Sequence, residues 1–294
     1  VLQRTQAEAL PPEAHTALDK LFSQRYGTPR IEGQIFLPAS NNQQARNQSW
    51  PGRIPPVTDT KMIVAWNSLM ISGLAKAAMA LRRPAYLDMA TAAAAFIQQQ
   101  QRIEGRLHRI NYDGQPQVLA QSEDYAFWIK ALIDLQQAQL ILRTPPSEID
   151  WLQTAIATQA EFDDWLWSSD QGGYFNTASD SSQSLLVRER SYQDNATPSA
   201  NGVAIANLVR LSLLTENLTY LDQAEQALKA FGTAMEQVPR ACPSLFSALD
   251  WFLHGTAVRT KANSLPDMAQ VYLPTTVFIS VEDVPAQALG IVCR

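Results

Sequence analysis

The chain has 294 residues, of which 46% are hydrophobic and 17% are charged, with a formal net charge of −5 at pH 7. This composition excludes a disordered chain, because disorder requires low hydrophobicity and high net charge. Lys and Arg form no run that could follow a phosphate backbone, so nucleic acid is not an expected partner. Two distant cysteines predict neither a disulfide nor a metal site, and we expect no cofactor and a cytoplasmic setting.

The first residues contain no initiator Met and no export signal, so we expect the chain to be the C-terminal part of a longer protein. One stretch, 62–81, is long enough to suggest a membrane span. It carries Asn67, Ser68, Ser72 and Lys76, and charge near the centre of a span is costly. We therefore predict a buried helix of a soluble fold at 62–81, and no membrane.

Helical periodicity occurs in three consecutive pairs, with a short link inside each pair. In each pair the first segment is apolar nearly all round and the second has one apolar stripe. We therefore expect an inner and an outer helical layer, which predicts an all-α fold, a partial α/α-hairpin toroid. The predicted pairs are 60–82 with 84–101, 123–142 with 147–169, and 198–215 with 218–236, with further helices at 12–25 and 243–255.

Start signals and short extended patterns complete the predicted organisation. Ser122 is a predicted N-cap, and Ser147 with Asp150 has the spacing of a capping box. Hairpins are predicted at 106–115 and at 173–177 with 185–187, and a small sheet at 256–259, 276–281 and 290–294. We accordingly divide the chain into a helix with a long polar loop (1–58, loop at 27–58), a toroid segment (59–255) and a β-containing tail (256–294).

Polar residues cluster where each predicted inner helix begins, and they permit two interpretations. If these N-termini share one mouth, the carboxylates line a cleft suited to acid/base chemistry on a glycosidic bond. Alternatively, the same residues cap free N–H groups and match the helix dipole, which is the commoner reason for a single residue. The residues are Asp59, Lys61, Glu123, Asp124, Asp194, Asn195, Ser199 and Asn201.

Three other features are open to a structural or a binding interpretation. Asn67 has apolar helical neighbours, so its amide either ties down another helix or lines the cleft. Tyr174 follows two glycines, which form either a sugar-stacking platform or a simple turn. Arg188 and Arg190 lie at strand spacing and could meet carboxylates, with a purely structural role as the alternative.

Four segments resemble the spermatogenesis-associated protein 20 family, also called the YyaL family, in order and spacing from about 57 to 236. They are DTKMIVAWNSLMISGLAKA (59–77), EDYAFWIKALIDL (123–135), DQGGYFNT (170–177) and RERSYQDNATPSANGVAIANLVRL (188–211). Thr60, Ser68 and Ala200 depart from the family pattern, which has a second acid and two glycines there. The family's Gly-rich, His-containing motif and its Pro-His-Phe-Glu-Lys motif do not occur in this sequence.

The resemblance implies a helical part similar to six-hairpin glycosidases and sugar epimerases, with a thioredoxin-like domain ahead of it. The resemblance supports the residues named below as lining a cleft, but it assigns them no catalytic or binding roles. The roles that follow are our own hypothesis. We predict Asp124 as general acid and Asp194 as base or nucleophile. The predicted substrate-binding residues are Asp59, Lys61, Trp66, Asn67, Tyr125, Tyr174, Arg188, Ser199 and Asn201.

Two functions follow from this reasoning. The first is a glycosidase- or epimerase-like domain that acts on a carbohydrate-like small molecule and that is inactive as this chain alone. The alternative is a non-catalytic scaffold that binds a ligand or docks a partner for a redox domain. Expected partners are a small molecule, the thioredoxin-like domain and further toroid hairpins, without which this chain is expected to self-associate.

Overall fold

The computed structural model describes residues 11–26, 42–47, 59–145, 147–181, 187–268, 271–282 and 291–293. The chain forms two compact units, 1–61 and 62–294. In the first unit lie α1 (Pro12–Tyr26) and α2 (Asn42–Asn47). The predicted helix at 12–25 is confirmed. The predicted loop at 27–58 instead contains α2, and its other residues lie outside the described ones.

Three helical hairpins in chain order form the main body of the second unit. They are α3 (Val64–Leu81) with α4 (Pro84–Gln100), α5 (Ser122–Leu142) with α6 (Trp151–Leu166), and α7 (Ala200–Thr215) with α8 (Thr219–Gln237), followed by α9 (Pro243–His254) and the short α10 (Leu265–Met268). All three predicted pairs and the helix predicted at 243–255 are therefore confirmed, within a few residues at their ends. The domain boundaries at 58/59 and 255/256 stay a prediction.

The hairpins form two layers. Helices α3, α5, α7 and α9 pack side by side in that order, and each hairpin's second helix packs against its first. Helix α5 buries 15 of its 21 residues and α7 buries 12 of 16, whereas α8 buries 5 of 19. The predicted inner and outer layers are therefore present, and the fold is a mostly helical, partial α/α toroid.

The inner helices α3 and α5 run parallel. The amide of Ala65 at the start of α3 donates to Asp124 at the start of α5, and Ser72 farther along donates to Asp134 farther along. The second helix of each hairpin runs back along the first, so successive inner helices begin at the same end of the inner layer. This arrangement places mid-helix side chains of α3 and α5 next to each other.

Helix α3 is buried on one side and exposed on the other. Trp66 and Met70 are 61% and 63% exposed, because no described residue covers this side of the helix. By length and composition, α3 is the one described helix that could cross a membrane, and 39% of it is buried. One side of α3 is therefore buried, as predicted for 62–81, and the other side carries exposed apolar side chains.

Two predicted helix starts are corrected by capping contacts. The N-cap of α5 is Gln121, and Asp124 completes a capping box with it, so Ser122 is not the cap. The N-cap of α6 is Asp150, whose carboxylate accepts from the amide of Gln153 at 3.0 Å. A side chain must reach an N–H of the first turn to cap it, and the carboxylate of Asp150 does so for α6.

A small antiparallel sheet precedes α5. It contains β1 (Met62–Ile63), β2 (Arg102–Ile103), β3 (Arg106–Tyr112) and β4 (Gln115–Leu119), with β3 paired to the other three. The hairpin predicted at 106–115 is confirmed as β3 and β4. The residues 173–177 contribute only an isolated bridge between Tyr174 and Trp167, and 185–186 lie outside the described residues.

A second sheet follows α9. Strand β5 (Thr256–Thr260) pairs parallel to β6 (Thr276–Ser280) and antiparallel to β7 (Ile291–Cys293), which confirms the predicted C-terminal sheet. Gln137 on α5 joins this sheet to the helices. Its Nε2 donates to the carbonyl of Phe278 at 3.1 Å, and the amide of Phe278 donates to its Oε1 at 2.7 Å. The β6 backbone is thereby fixed beside α5.

Candidate functional site

A cavity of about 670 Å³ lies against the inner helices of the second unit. Its volume is within the ~300–1,000 Å³ typical of small-molecule sites. The lining side chains that matter below are Lys76, Lys130, Asp134, Asp194, Asn207, Arg210, Ser247, Trp251 and Tyr272. They come from α3, α5, α7 and α9, and from the segments before α7 and β6.

Helical spacing places the polar lining residues of α3, α5 and α7 on one wall of the cavity. Lys130 and Asp134 are i, i+4 neighbours on α5, and Asn207 and Arg210 are i, i+3 neighbours on α7, so each pair shares one helix face. Lys76 lies in the second half of α3, where α3 and α5 are adjacent. The polar residues of three separate sequence segments therefore meet only because the helices pack side by side.

Asp134 is the centre of a cationic cluster that we define as Lys76, Lys130, Asp134 and Arg210. Its Oδ1 pairs with Arg210 Nη2 at 2.5 Å, and its Oδ2 with Lys130 Nζ at 2.7 Å and Lys76 Nζ at 4.0 Å. Burial alone would raise the pKa of Asp134, but the charges of Arg210, Lys130 and Lys76 together outweigh it and lower the pKa. Asp134 is therefore ionised at neutral pH.

The cations of this cluster are themselves buried to different degrees. Burial lowers the pKa of Lys130 to about 8, although the charge of Asp134 opposes this shift. Lys130 also donates to Ser72 Oγ at 2.5 Å. Arg210 is 8% exposed, and its buried Nε has no hydrogen-bond partner among the described atoms. Its guanidinium carbon lies 5.6 Å from the ring centroid of Trp251, within cation–π distance.

Asp194 is the second carboxylate of the lining. It accepts hydrogen bonds from the amides of Ser199 at 2.9 Å and Ser244 at 2.8 Å, and from Ser244 Oγ at 2.5 Å. Ser199 is the N-cap of α7, and its hydroxyl accepts from the amide of Gly202 at 3.1 Å. A Cβ at Gly202 would lie 2.2 Å from Ser244 Oγ, so this glycine allows α7 and α9 to approach closely.

Asp124, the predicted general acid, is fully buried at the start of α5. Its oxygens accept from the amides of Ala65 at 3.0 Å and Gln121 at 2.9 Å, and from Arg109 Nη1 at 2.8 Å. Burial raises the pKa of Asp124 to about 6, and Arg109 opposes this shift. Asp124 lies outside the described lining of the cavity, so the structure does not bring it together with Asp194. The catalytic roles of both residues stay predictions.

Three predicted substrate-binding side chains are buried and bonded within the protein. Tyr125 Oη donates to Glu161 at 2.6 Å, and Tyr174 Oη donates to Asp163 at 2.6 Å. Asn201 accepts from the amide of Tyr174 at 2.7 Å and donates to its carbonyl at 3.0 Å. These contacts hold the loop at Tyr174 against the helices. A binding role for the three residues stays a prediction.

The remaining candidates lie at other places on the chain. Asn67 donates to the carbonyl of Ile63 at 2.9 Å, and Ile63 is the N-cap of the helix that carries Asn67. Arg188 donates to the carbonyl of Thr177 at 2.7 Å and lies 4.1 Å from the ring centroid of Phe175. Trp66, exposed on α3, lies outside the described lining of the cavity, as do these two residues. Binding roles for Trp66, Asn67 and Arg188 stay predictions.

Asp59 and Lys61 belong to the first unit, where their exposed side chains form an ion pair at 3.2 Å. Ser199 lies beside the cavity as the cap of α7 and as a donor to Asp194. In the described ranges, no group of three or more His, Cys, Asp or Glu side chains could hold a metal ion. Substrate-binding roles for Asp59, Lys61 and Ser199 stay predictions.

Sequence reasoning missed the residues of the cationic cluster. Lys130 and Asp134 interrupt the apolar run FWIKALIDL, and Arg210 interrupts NLVRLSLL. A charged residue inside an otherwise apolar inner helix needs a buried partner or a ligand, and this signal could have identified them. Trp251 gave no comparable signal, since an aromatic residue in an apolar helix is ordinary core.

Comparison with known proteins finds relatives of similar sequence over most of this chain. No family model matches it. Spermatogenesis-associated protein 20 of Rattus norvegicus is 32% identical over 254 residues, which are 83% of this chain. The chain spans 28% of the length of that relative.

Solved structures of carbohydrate-processing proteins resemble it more distantly. A GH76 α-mannanase of Bacteroides thetaiotaomicron has 17% identity and a TM-score of 0.48, covering 76% of this chain and 55% of that chain. Cellobiose 2-epimerase of Bacillus thermoamylovorans has 11% identity and a TM-score of 0.47, covering 74% of this chain and 55% of that chain. The resemblance predicted from four sequence segments is confirmed by the sequence comparison: over most of its length, this chain is a homologue of spermatogenesis-associated protein 20.

Proposed function

We propose that the cavity binds a carbohydrate-like small molecule, and that binding rather than hydrolysis is what this chain contributes. One observation carries the proposal, namely a cavity in which an aromatic ring, Trp251, lies beside several hydrogen-bonding side chains. Arg210 lies 5.6 Å from the centroid of that ring, and Ser247 lies one turn before Trp251 on α9, while the Nδ2 of Asn207 already donates to the carbonyl of Ala126. A sugar presents both a polar rim of hydroxyls and an apolar face, and this lining suits both.

The charges of the cavity favour binding over glycosidic hydrolysis. Hydrolysis needs two carboxyl groups, one of them a general acid that stays protonated near neutral pH. In the cavity the pKa of Asp134 is lowered, and Asp194 accepts three hydrogen bonds from Ser199 and Ser244. The carboxyl group with a raised pKa, that of Asp124, lies outside the described lining.

The test is isothermal titration of the chain with glucose, mannose and cellobiose. We expect binding of at least one sugar, and a loss of about tenfold in affinity on Trp251→Ala, with recovery in Trp251→Phe, which keeps an aromatic face. Phe246→Ala is the matched control, because Phe246 is exposed on the same helix and lies outside the described lining. Thermal unfolding of each variant separates lost binding from lost folding.

Two results would contradict the proposal. The first is the absence of binding to all three sugars by the folded wild-type chain. The second is turnover of cellobiose that Asp124→Asn abolishes, because that outcome would establish hydrolysis with Asp124 as the acid.

A further inference from the structure

We infer that the cavity selects an anionic monosaccharide, one that carries a phosphate ester or a carboxylate, and that Lys76, Lys130 and Arg210 bind the anionic group. The inference rests on the proposed function, because it names the ligand class of the same cavity. The three cations come from three different helices, α3, α5 and α7, and all of them line the cavity.

The cationic cluster carries more positive than negative charge. Among the described residues, Asp134 is the carboxylate with which all three cations form ion pairs. The one negative charge of Asp134 thus faces three positive charges, of which Lys130 and Arg210 are largely buried, and Asp194, the other carboxylate of the lining, forms no ion pair with them among the described residues. Buried charge without a counterion is costly. A ligand with one or two negative charges would neutralise the excess.

The hydrogen bonding of Arg210 is incomplete. Its Nη2 is bonded to Asp134, while its buried Nε is unpartnered among the described atoms. Buried donors in proteins are nearly always satisfied, and Arg210 lines the cavity, so its guanidinium has hydrogen-bonding capacity that the described residues do not use. Phosphate and carboxylate oxygens match the donor geometry of a guanidinium.

The position of Arg210 beside Trp251 indicates what the anionic group of the ligand is attached to. The guanidinium carbon of Arg210 lies 5.6 Å from the ring centroid of Trp251. A charged group bound by Arg210 therefore places whatever it is attached to next to the Trp251 ring. A pyranose is apolar on one face and fits there, with Asn207 and Ser247 on the same wall.

The first experiment titrates the whole chain at pH 7 with glucose, glucose 6-phosphate, glucuronate and inorganic phosphate. We expect at least one of the two charged sugars to bind about tenfold more tightly than glucose, as a charge-assisted hydrogen bond supplies that much. The tighter of the two identifies the anionic group as phosphate or carboxylate. Inorganic phosphate should bind more weakly than the preferred charged sugar, since it makes no contact with Trp251.

Variants test which residues bind the anion. Arg210→Gln should remove the preference for the charged sugar, although it also leaves Asp134 with fewer partners and could impair folding. Lys76→Gln avoids that difficulty, because the Lys76 side chain is 59% exposed, and it should reduce the preference by about threefold. Lys229→Gln makes the same charge change on exposed α8, outside the described lining, and should leave the preference unchanged.

Proton uptake gives an independent readout. Lys130 faces Lys76 from α3, Arg210 from α7 and Asp134 on its own helix, and Asp194 and Tyr272 are the other titratable groups of the wall. The pKa of Lys130 is about 8, so at pH 8 its amino group is deprotonated in about half of the chains. A bound anion would favour the protonated form and cause proton uptake. Titration at pH 8 in buffers of different ionisation enthalpy should show proton uptake with the charged sugar and none with glucose.

Binding of glucose as tight as that of both charged sugars would overturn this inference and leave the proposed function standing. Binding of inorganic phosphate as tight as that of glucose 6-phosphate, without binding of glucose, would support an anion site and overturn the proposed function. An unchanged preference in both Lys76→Gln and Arg210→Gln would overturn the assignment of the cations.

Discussion

Asp124 and Asp134 lie on the same inner helix, the first in its opening turn and the second near its middle. Both are almost completely buried, at 0% and 2% exposure. Asp124 pairs with Arg109 and two backbone amides, and its pKa is raised to about 6. Asp134 pairs with three cations, and its pKa is lowered. Equal burial thus gives opposite shifts, and the number of neighbouring cations decides the direction.

The difference also separates two roles for a buried carboxylate. At Asp124 the protein provides donors that hold two helix starts and one strand together, so the group serves the fold. At Asp134 the protein provides more positive charge than one carboxylate can neutralise, so the site keeps capacity for another anion. Capping and ligand binding are therefore told apart by the balance of charge rather than by residue type.

The largest effect is expected from Asp134→Asn. This change leaves Lys130 and Arg210 buried without their carboxylate, and such a loss costs ~3–5 kcal/mol of unfolding free energy. Urea unfolding at pH 7 measures it. Asp250→Asn, which removes an exposed carboxylate paired with His254, is the control and should cost less than ~1 kcal/mol. Equal effects of the two changes would contradict the role given to the cationic cluster.

A smaller effect, with a distinctive pH dependence, is expected from Asp124→Asn. Because its folded pKa is raised from 3.8 to about 6, Asp124 contributes stability that is present below pH 3.8 and is lost as pH rises through 6. The cost of Asp124→Asn in unfolding free energy should therefore be about 1 kcal/mol larger at pH 5 than at pH 7.

The Asp134 carboxyl itself serves as the comparison for that pH trend. The folded pKa of Asp134 is lowered, so its stabilising contribution is present above pH 3.8 and is lost only as pH falls below that value. Carbon-13 NMR of the two carboxyl groups in the folded chain should show Asp124 titrating near pH 6 and Asp134 ionised from pH 5 to pH 7. Titration of both groups near pH 6 would contradict the opposite shifts that define the comparison.

The smallest effect is expected from Lys76→Gln. Lys76 Nζ is 4.0 Å from Asp134, and the side chain is mostly in solvent, which screens the interaction. The unfolding free energy should change by less than ~1 kcal/mol, while the preference for a charged sugar falls. Urea unfolding and titration of the same sample check both expectations. A loss of stability as large as that of Asp134→Asn would make Lys76 a structural residue.

The sequence predicted the helical hairpins well because their apolar periodicity is local. Which side chains of α3 stay exposed, such as Trp66 and Met70, could not be read from that periodicity, since an apolar side chain does not reveal whether a neighbour covers it. For Asp124, the capping interpretation that the sequence left open is the one whose contacts the structure shows. The cationic cluster was missed because its members lie far apart in the chain, and only the parallel register of the inner helices brings them together.

Gln137 acts on the β6 backbone as a neighbouring strand would, with one donor and one acceptor for Phe278. Gln137, Thr276 and Phe278 also line the cavity, so the C-terminal sheet is part of its wall. Local opening of this sheet must break the two Gln137 bonds and disturb the lining at the same time. A ligand that binds the closed cavity should therefore slow hydrogen exchange at the Phe278 amide, far along the chain from the cations that bind it.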